Sequence, residues 1–214
     1  MIRNYNKRIQ ALNPMVDSGF KYDPNRWNKL NSEAKKLVLK FENKIITRND
    51  VLCAFEDYYI GRQSYLYPFT MTMLWGFADN GYGTYRTNKY LDLKENRVHI
   101  QNAFKALEVN NLEEAFNQLM KIKGLNISYV SKLLYFGTRA LNYDRYALIF
   151  DIRVARALVK TMDVEGVSEL LEISPSSKYK NYERYITLIH NWAKKLNVEA
   201  ENIEMFLFEG DFQG

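Results

Sequence analysis

Apolar residues recur at spacings of three and four along most of the chain, the period of an α-helix, and strict alternation is scarce. Asn111-Leu112-Glu113-Glu114 opens a predicted helix whose stripe is Leu112, Ala115, Phe116, Leu119 and Met120. Another stripe runs through Val130, Leu133, Leu134 and Gly137. A third comprises Val154, Ala155, Leu158, Val159 and Met162, and a fourth Tyr182, Tyr185, Ile186, Ile189, Ala193 and Leu196. Weaker helical patterns fall near 32–42, 48–61, 65–79 and 96–108. The one strand-like run, Tyr146 to Phe150, is too short to make a sheet by itself. The pattern predicts an all-α fold of about ten helices. Four Pro and ten Gly, few for a fold built on many tight turns, agree with it. No repeat, low-complexity tract or Gly/Ser linker interrupts the chain, so any two lobes must pack on each other.

Length and composition narrow the class. At 214 residues the chain can form one large domain or two small lobes. Its 47% hydrophobic and 26% charged residues exclude a disordered or fibrous chain. A single cysteine, Cys53, excludes an internal disulfide framework, a four-thiolate zinc site and a four-thiolate iron–sulfur cluster. The polar start from Met1 to Arg8, followed by no apolar stretch, predicts no targeting leader. The richest apolar run, Tyr65 to Phe77, is too short and too interrupted for a membrane span. A cytoplasmic protein with no membrane partner is expected.

Charge becomes informative once located. The net charge is +5, but the stretch from Asn197 onward holds five acids (Glu199, Glu201, Glu204, Glu209 and Asp211) and no Lys or Arg, which leaves +10 on residues 1–196. Between 121 and 160, Lys121, Lys123, Lys132, Arg139, Arg145, Arg153, Arg156 and Lys160 face only Asp144 and Asp151. Basic residues interleaved with Tyr and Asn point to a polyanion, nucleic acid ahead of acidic membrane. A solvated face on a basic protein is the plainer alternative.

Two features stand inside that basic window. Leu119 to Lys132 reads as a helix, a tight turn and a second helix, and Gly124 and Asn126 are the residue types that accept a left-handed backbone most cheaply. Such a turn at a helix start exposes backbone N–H groups that bind phosphate regardless of sequence, although many all-α proteins contain ordinary hairpins. The second feature is Phe150-Asp151-Ile152-Arg153-Val154-Ala155-Arg156. It places Asp151 at or near a helix N-terminus, where the positive end of the helix keeps a carboxylate ionised. A plain capping role would also put an Asp there.

Together, Ile122-Lys123-Gly124-Leu125-Asn126 and Asp151-Ile152-Arg153-Val154-Ala155-Arg156 resemble the two signatures of the helix-hairpin-helix DNA glycosylases, with Asn126 in place of the second hairpin Gly. The stretch Pro68-Phe69 through Gly83 resembles the family's early core helix and following loop. Trp75 to Arg86 is also similar to bacterial proteins described as having an 8-oxoguanine glycosylase-like fold. The resemblance covers about 65–160. It implies a two-lobed helical fold with the active site between the lobes. An N-terminal helical segment, 1–64, would pack on a core, 65–214, whose hairpin spans about 112–140 and whose catalytic helix starts at 151.

The implied activity is that of a monofunctional DNA glycosylase. It would flip a damaged or modified base out of duplex DNA, hydrolyse its N-glycosidic bond and leave an abasic site, as a nucleoid-associated monomer needing no cofactor or metal. The resemblance makes Asp151 catalytic, because an ionised carboxylate stabilises the positive charge that develops on the sugar. Lys121, Lys123, Gly124, Leu125, Asn126, Ser128, Arg153 and Arg156 would hold the DNA backbone. Trp75, Asn80, Tyr82, Tyr85, Arg86 and Lys132 would form the base pocket or the wedge that fills the vacated stack. Bifunctional relatives carry their nucleophilic Lys four residues after the first hairpin Gly, and here that position is Ser128. Water is therefore the expected nucleophile. The alternatives are a lyase using Lys132 one turn further on, a glycosylase acting on hypermodified phage DNA in defence, and a DNA-binding protein without catalysis. His99 and His190 stand apart from any ligand set and read as packing or surface residues.

Overall fold

The computed structural model describes residues 2–78, 81–161 and 178–210. The chain begins with a 3-10 turn, Ile2–Tyr5, and two short helices, α1 (Asn6–Ala11) and α2 (Pro14–Asp17). Strand β1 (Phe20–Lys21) then pairs antiparallel with β2 (Ile45–Ile46), Phe20 opposite Ile46. Helix α3 (Ser32–Val38) and a 3-10 turn, Leu39–Phe41, lie between them. Helices α4 (Arg48–Tyr59), α5 (Leu66–Phe77), α6 (Gly83–Asp92), α7 (Lys94–Glu108), α8 (Leu112–Met120) and α9 (Ile127–Ala140) follow. Helices α10 (Ile152–Thr161), α11 (Tyr179–Leu196) and α12 (Ala200–Glu209) complete the described part. The all-α class is as expected, and the two-residue ribbon is the only sheet among the described residues.

Local sequence explains the helix starts. Thr47 and Asp50 form a reciprocal capping box that opens α4 and makes Arg48 its first residue. Asn111 accepts the Glu114 N–H at 3.0 Å and opens α8. Helix α5 is buried on nearly every side, from Leu66 through Leu74, and packs between α4 and α9. The weakly patterned region before 96 holds a further helix, α6, which the periodicity did not predict because Leu91 is the one aliphatic residue among its ten.

The strand-like run from Tyr146 to Phe150 is not a strand. It is a wholly buried segment without regular secondary structure, and several of its backbone groups bond to side chains instead of a neighbouring strand. Tyr182 donates to Leu148 O at 2.7 Å, Tyr185 to Ile149 O at 2.8 Å and His190 Nε2 to Tyr146 O at 2.8 Å. The Ala147 N–H donates to Thr138 Oγ1, and the Phe150 N–H to Ser131 Oγ, each at 2.9 Å. Helices α9 and α11 thus grip this segment along its length, and its far end delivers Asp151 to the start of α10.

Residues on both sides of position 64 share one apolar cluster, in which Ile9, Trp27, Val38 and Phe55 pack with Phe104, Phe136 and Phe206. Two polar ties fasten α1 and α4 to α12. Asn202 Nδ2 donates to Ile9 O and Leu12 O, both at 3.0 Å, and buried Arg48 is bonded to buried Glu204.

Candidate active site

A cavity of about 720 Å³ opens where α5, α9, the start of α10 and α12 converge with the segment Asp17–Phe20. That volume lies in the range of small-molecule sites. Asp151, Ser128, Lys132, Trp75 and Arg153 line it, so the structure brings together five residues that the sequence singled out.

Asp151 does two things. One carboxylate oxygen, Oδ1, accepts the N–H groups of Arg153 at 2.9 Å and Val154 at 3.1 Å, which caps α10. The side chain also borders the cavity, so capping and chemistry are compatible. With its backbone pinned by the buried run 146–150, the carboxylate is held in place before any ligand arrives.

Lys132 occupies the floor. It is only 7% exposed, and its Nζ donates to Ser128 Oγ at 2.9 Å and to Ser128 O at 3.2 Å. Burial pulls its pKa below the ordinary lysine value and the nearby Arg48 pulls the same way, while Asp151 and Glu204 partly restore it. An amine that burial makes easier to deprotonate is a better nucleophile, and this one lines the same cavity as Asp151. The offset of one turn beyond Ser128 is bridged because the side chain reaches back toward the N-terminus of its helix, as helical side chains do. Gly76 gives it room. A Cβ at that position would stand 3.1 Å from both Lys132 Cδ and Tyr129 Cε1.

Beneath Lys132 lies a group that the sequence did not reveal. Arg48 Nη1 meets Glu204 Oε2 at 2.7 Å, with side chains 3% and 0% exposed, and the guanidinium lies 5.3 Å from the Trp75 ring and 5.4 Å from the Tyr135 ring. Burial disfavours the charge on Arg48, but Glu204 and Tyr135 together outweigh it and keep the guanidinium protonated. Asp17, Ser18, Gly19, Phe20, Met205 and Phe208 add further wall, and Ser18 O accepts the Trp75 indole N–H at 2.8 Å. One signal of this group was present in the sequence: Glu201 and Glu204 interrupt the apolar pattern of α12, and a carboxylate on an apolar face is buried only with a partner. Nothing in the sequence identified Arg48 as that partner.

The hairpin joining α8 and α9 stands at the edge of the site. Gly124 adopts φ +90°, as its residue type foretold. Asn126 does not share that conformation; its φ of −91° and ψ of 172° are extended, as a residue just before a helix requires. Its side chain makes no capping bond, so the first N–H groups of α9, which include that of Ser128, are left for another acceptor. Lys121, Lys123, Gly124 and Asn126 are exposed around this turn and Leu125 is buried beneath it. Tyr90 of α6 donates to Gly124 O at 2.8 Å and fixes the hairpin to its neighbour.

Tyr82, Tyr85 and Arg86 do not line the cavity. They lie exposed at the start of α6, Tyr82 at 71% and Tyr85 at 67%. Asn80 lies outside the described residues. Arg156 is exposed on α10. His99 Nδ1 donates to Gln118 Oε1 at 2.7 Å and, like His190, serves packing.

A family model described as putative 8-oxoguanine DNA glycosylase OGG-like protein matches residues 13–208. No curated protein and no solved structure matches the chain. The matched span takes in Asp17–Phe20, Arg48 and Glu204 as well as the hairpin and Asp151, so it reaches well before the region in which motifs were legible.

Proposed function

We propose that this chain, which belongs to the OGG-like 8-oxoguanine DNA glycosylase family, excises a modified base from duplex DNA with Asp151 as the electrostatic catalyst and the Lys132 amine as nucleophile. The observation that carries the proposal is the placement of Lys132 Nζ, buried and with a lowered pKa, in the same cavity as Asp151.

The chemistry follows from those positions. A nucleotide must leave the stack to bring its anomeric carbon to the cavity, and phosphate contacts at the hairpin N–H groups with Lys121 and Lys123 supply the anchor. As the N-glycosidic bond breaks, the base departs with the bonding electron pair and positive charge develops on the sugar. Asp151 faces that charge. The Lys132 amine bonds to the anomeric carbon through its lone pair and gives up a proton. Opening of the sugar ring then yields an imine, which either hydrolyses to the abasic site or leads to strand cleavage. Ser128, at the expected lysine position, holds the amine through its hydroxyl and carbonyl oxygens.

One observation favours the water-based alternative. Both hydrogen bonds of Lys132 run to Ser128, and an amine that keeps them would orient a water molecule and not attack. In that case base loss would leave an intact strand with a free abasic site.

The test of the activity is base release from a panel of duplexes carrying 8-oxoguanine, alkylated purines and, in whole phage DNA, hypermodified bases. Release of at least one such base that is lost in Asp151→Asn supports the proposal. Binding without release across the panel would reduce the protein to a DNA-binding one.

A further inference from the structure

Two charged residues in the wall of the active-site cavity take no part in the chemistry set out above. Arg48 and Glu204 both line it, with side chains 3% and 0% exposed. Stability does not explain them, because a buried ion pair contributes no more to folding than well-packed apolar residues of similar volume. Their hydrogen bonds are also incomplete. Glu204 accepts from Arg48 Nη1 at 2.7 Å and Nη2 at 3.4 Å, whereas a carboxylate offers about four lone-pair positions. The buried Nε–H of Arg48 has no hydrogen-bond partner, a rare state for a buried donor and one that a ligand can complete.

The pair is held in place from several sides. The capping box of Thr47 and Asp50 makes Arg48 the first residue of α4, and the guanidinium lies 5.3 Å from the Trp75 ring and 5.4 Å from the Tyr135 ring. Ser18 O in turn fixes the Trp75 indole. A donor and an acceptor thus stand side by side in the wall that also holds Lys132, whose charge both residues influence.

That pairing selects among ligand groups. A phosphate would meet the Glu204 carboxylate, and an alkylated base carrying positive charge would meet the Arg48 guanidinium. A neutral edge with a carbonyl oxygen next to an N–H satisfies both, the oxygen accepting from Arg48 and the N–H donating to Glu204. We propose that Arg48 and Glu204 read the extruded base, and that the substrate is therefore a base with a lactam edge, N–H beside C=O, as an oxidised or deaminated purine has. The inference rests on the glycosylase reading for its ligand, and it assigns specificity to two residues that the reaction itself does not use.

The test titrates free bases into the full-length protein bound to an abasic-site duplex, followed by calorimetry. Hypoxanthine carries the lactam edge, unsubstituted purine lacks it, and 1-methylhypoxanthine keeps the oxygen but has a methyl group in place of the N–H. Hypoxanthine should bind wild type about tenfold or more tightly than either of the others. The double variant Arg48→Met, Glu204→Leu removes both charges and strands neither, so it should melt no lower than wild type, and the three affinities should draw level. A merely structural role would weaken all three bases alike and leave their ratios intact. Equal affinities in wild type, or a preference that survives in the double variant, overturn the reading of the base by this pair, whatever base release from damaged duplexes shows. The wild-type ratios decide this without the variant should it fail to fold. A preference for hypoxanthine that the double variant loses, with no base released from any duplex by wild type, overturns the glycosylase reading and leaves a lactam-binding site standing.

Discussion

Replacing Asp151 by Asn separates the two jobs of that side chain. The Asp151 Oδ1 bonds to the N–H groups of Arg153 and Val154 can be made by an amide oxygen, and Asn caps helices about as well as Asp. What Asn lacks is the charge, worth about 0.3–1 kcal/mol at a helix N-terminus. Melting should therefore fall by at most about 4 °C, at roughly 2–4 °C per kcal/mol for a chain of this size. Base release should fall about 100-fold or more, or about 2.7 kcal/mol of barrier, the usual scale for removing a group aimed at developing charge. Asp151→Ala should lose the same activity and roughly 1 kcal/mol more stability, because it also uncaps α10. The loss cannot arise from a protonated Lys132. Asp151 favours the ammonium form, so removing its charge lowers the lysine pKa further and moves the acid limb of the rate profile to lower pH. Calorimetry and single-turnover base release across pH read all three quantities. Activity of Asp151→Asn within a few-fold of wild type, or an acid limb displaced upward, would refute the argument.

Gly76→Ala should leave melting little changed, since about 1 kcal/mol of helix propensity offsets the strain of a Cβ 3.1 Å from Lys132 Cδ, yet it should slow base release at least tenfold by displacing the amine. Glu204→Gln should destabilise the fold by about 3 kcal/mol in a denaturant titration, because it strands the Arg48 guanidinium in the interior; a change below about 1 kcal/mol would show that water reaches this pair. Neutralising Lys121 and Lys123 together should lower the salt slope of binding by about 2, equally for damaged and undamaged duplex; an unchanged slope would make the hairpin only a turn.

The legible and illegible parts of this molecule differ for a physical reason. Helix α8, the hairpin and α9 were readable because their stripes are amphipathic and Gly124 marks the turn, and the start of α10 was readable because Asp151 caps it. The buried run 146–150 looks like a strand in sequence since it is apolar on every side, but its partners are the hydroxyls of Tyr182, Tyr185 and Ser131, which no period encodes. Lys132 was found as a residue but not as the floor of the site; its spacing from Gly124 suggested a turn too far, and only the bonds back to Ser128 show how the side chain closes that distance. Arg48 and the segment Asp17–Phe20 were missed because contacts such as Arg48 to Glu204 join residues more than 150 positions apart.

The most direct measurement is reductive trapping on a duplex with a single abasic site, where the free sugar aldehyde reports on an amine nucleophile whatever base the enzyme prefers. With borohydride present, wild type should form a covalent protein–DNA adduct, Ser128→Ala should form less of it, and Lys132→Met should form none while still binding the duplex. Base release by wild type with no adduct, or an adduct that survives Lys132→Met, would contradict the assignment of Lys132 as nucleophile.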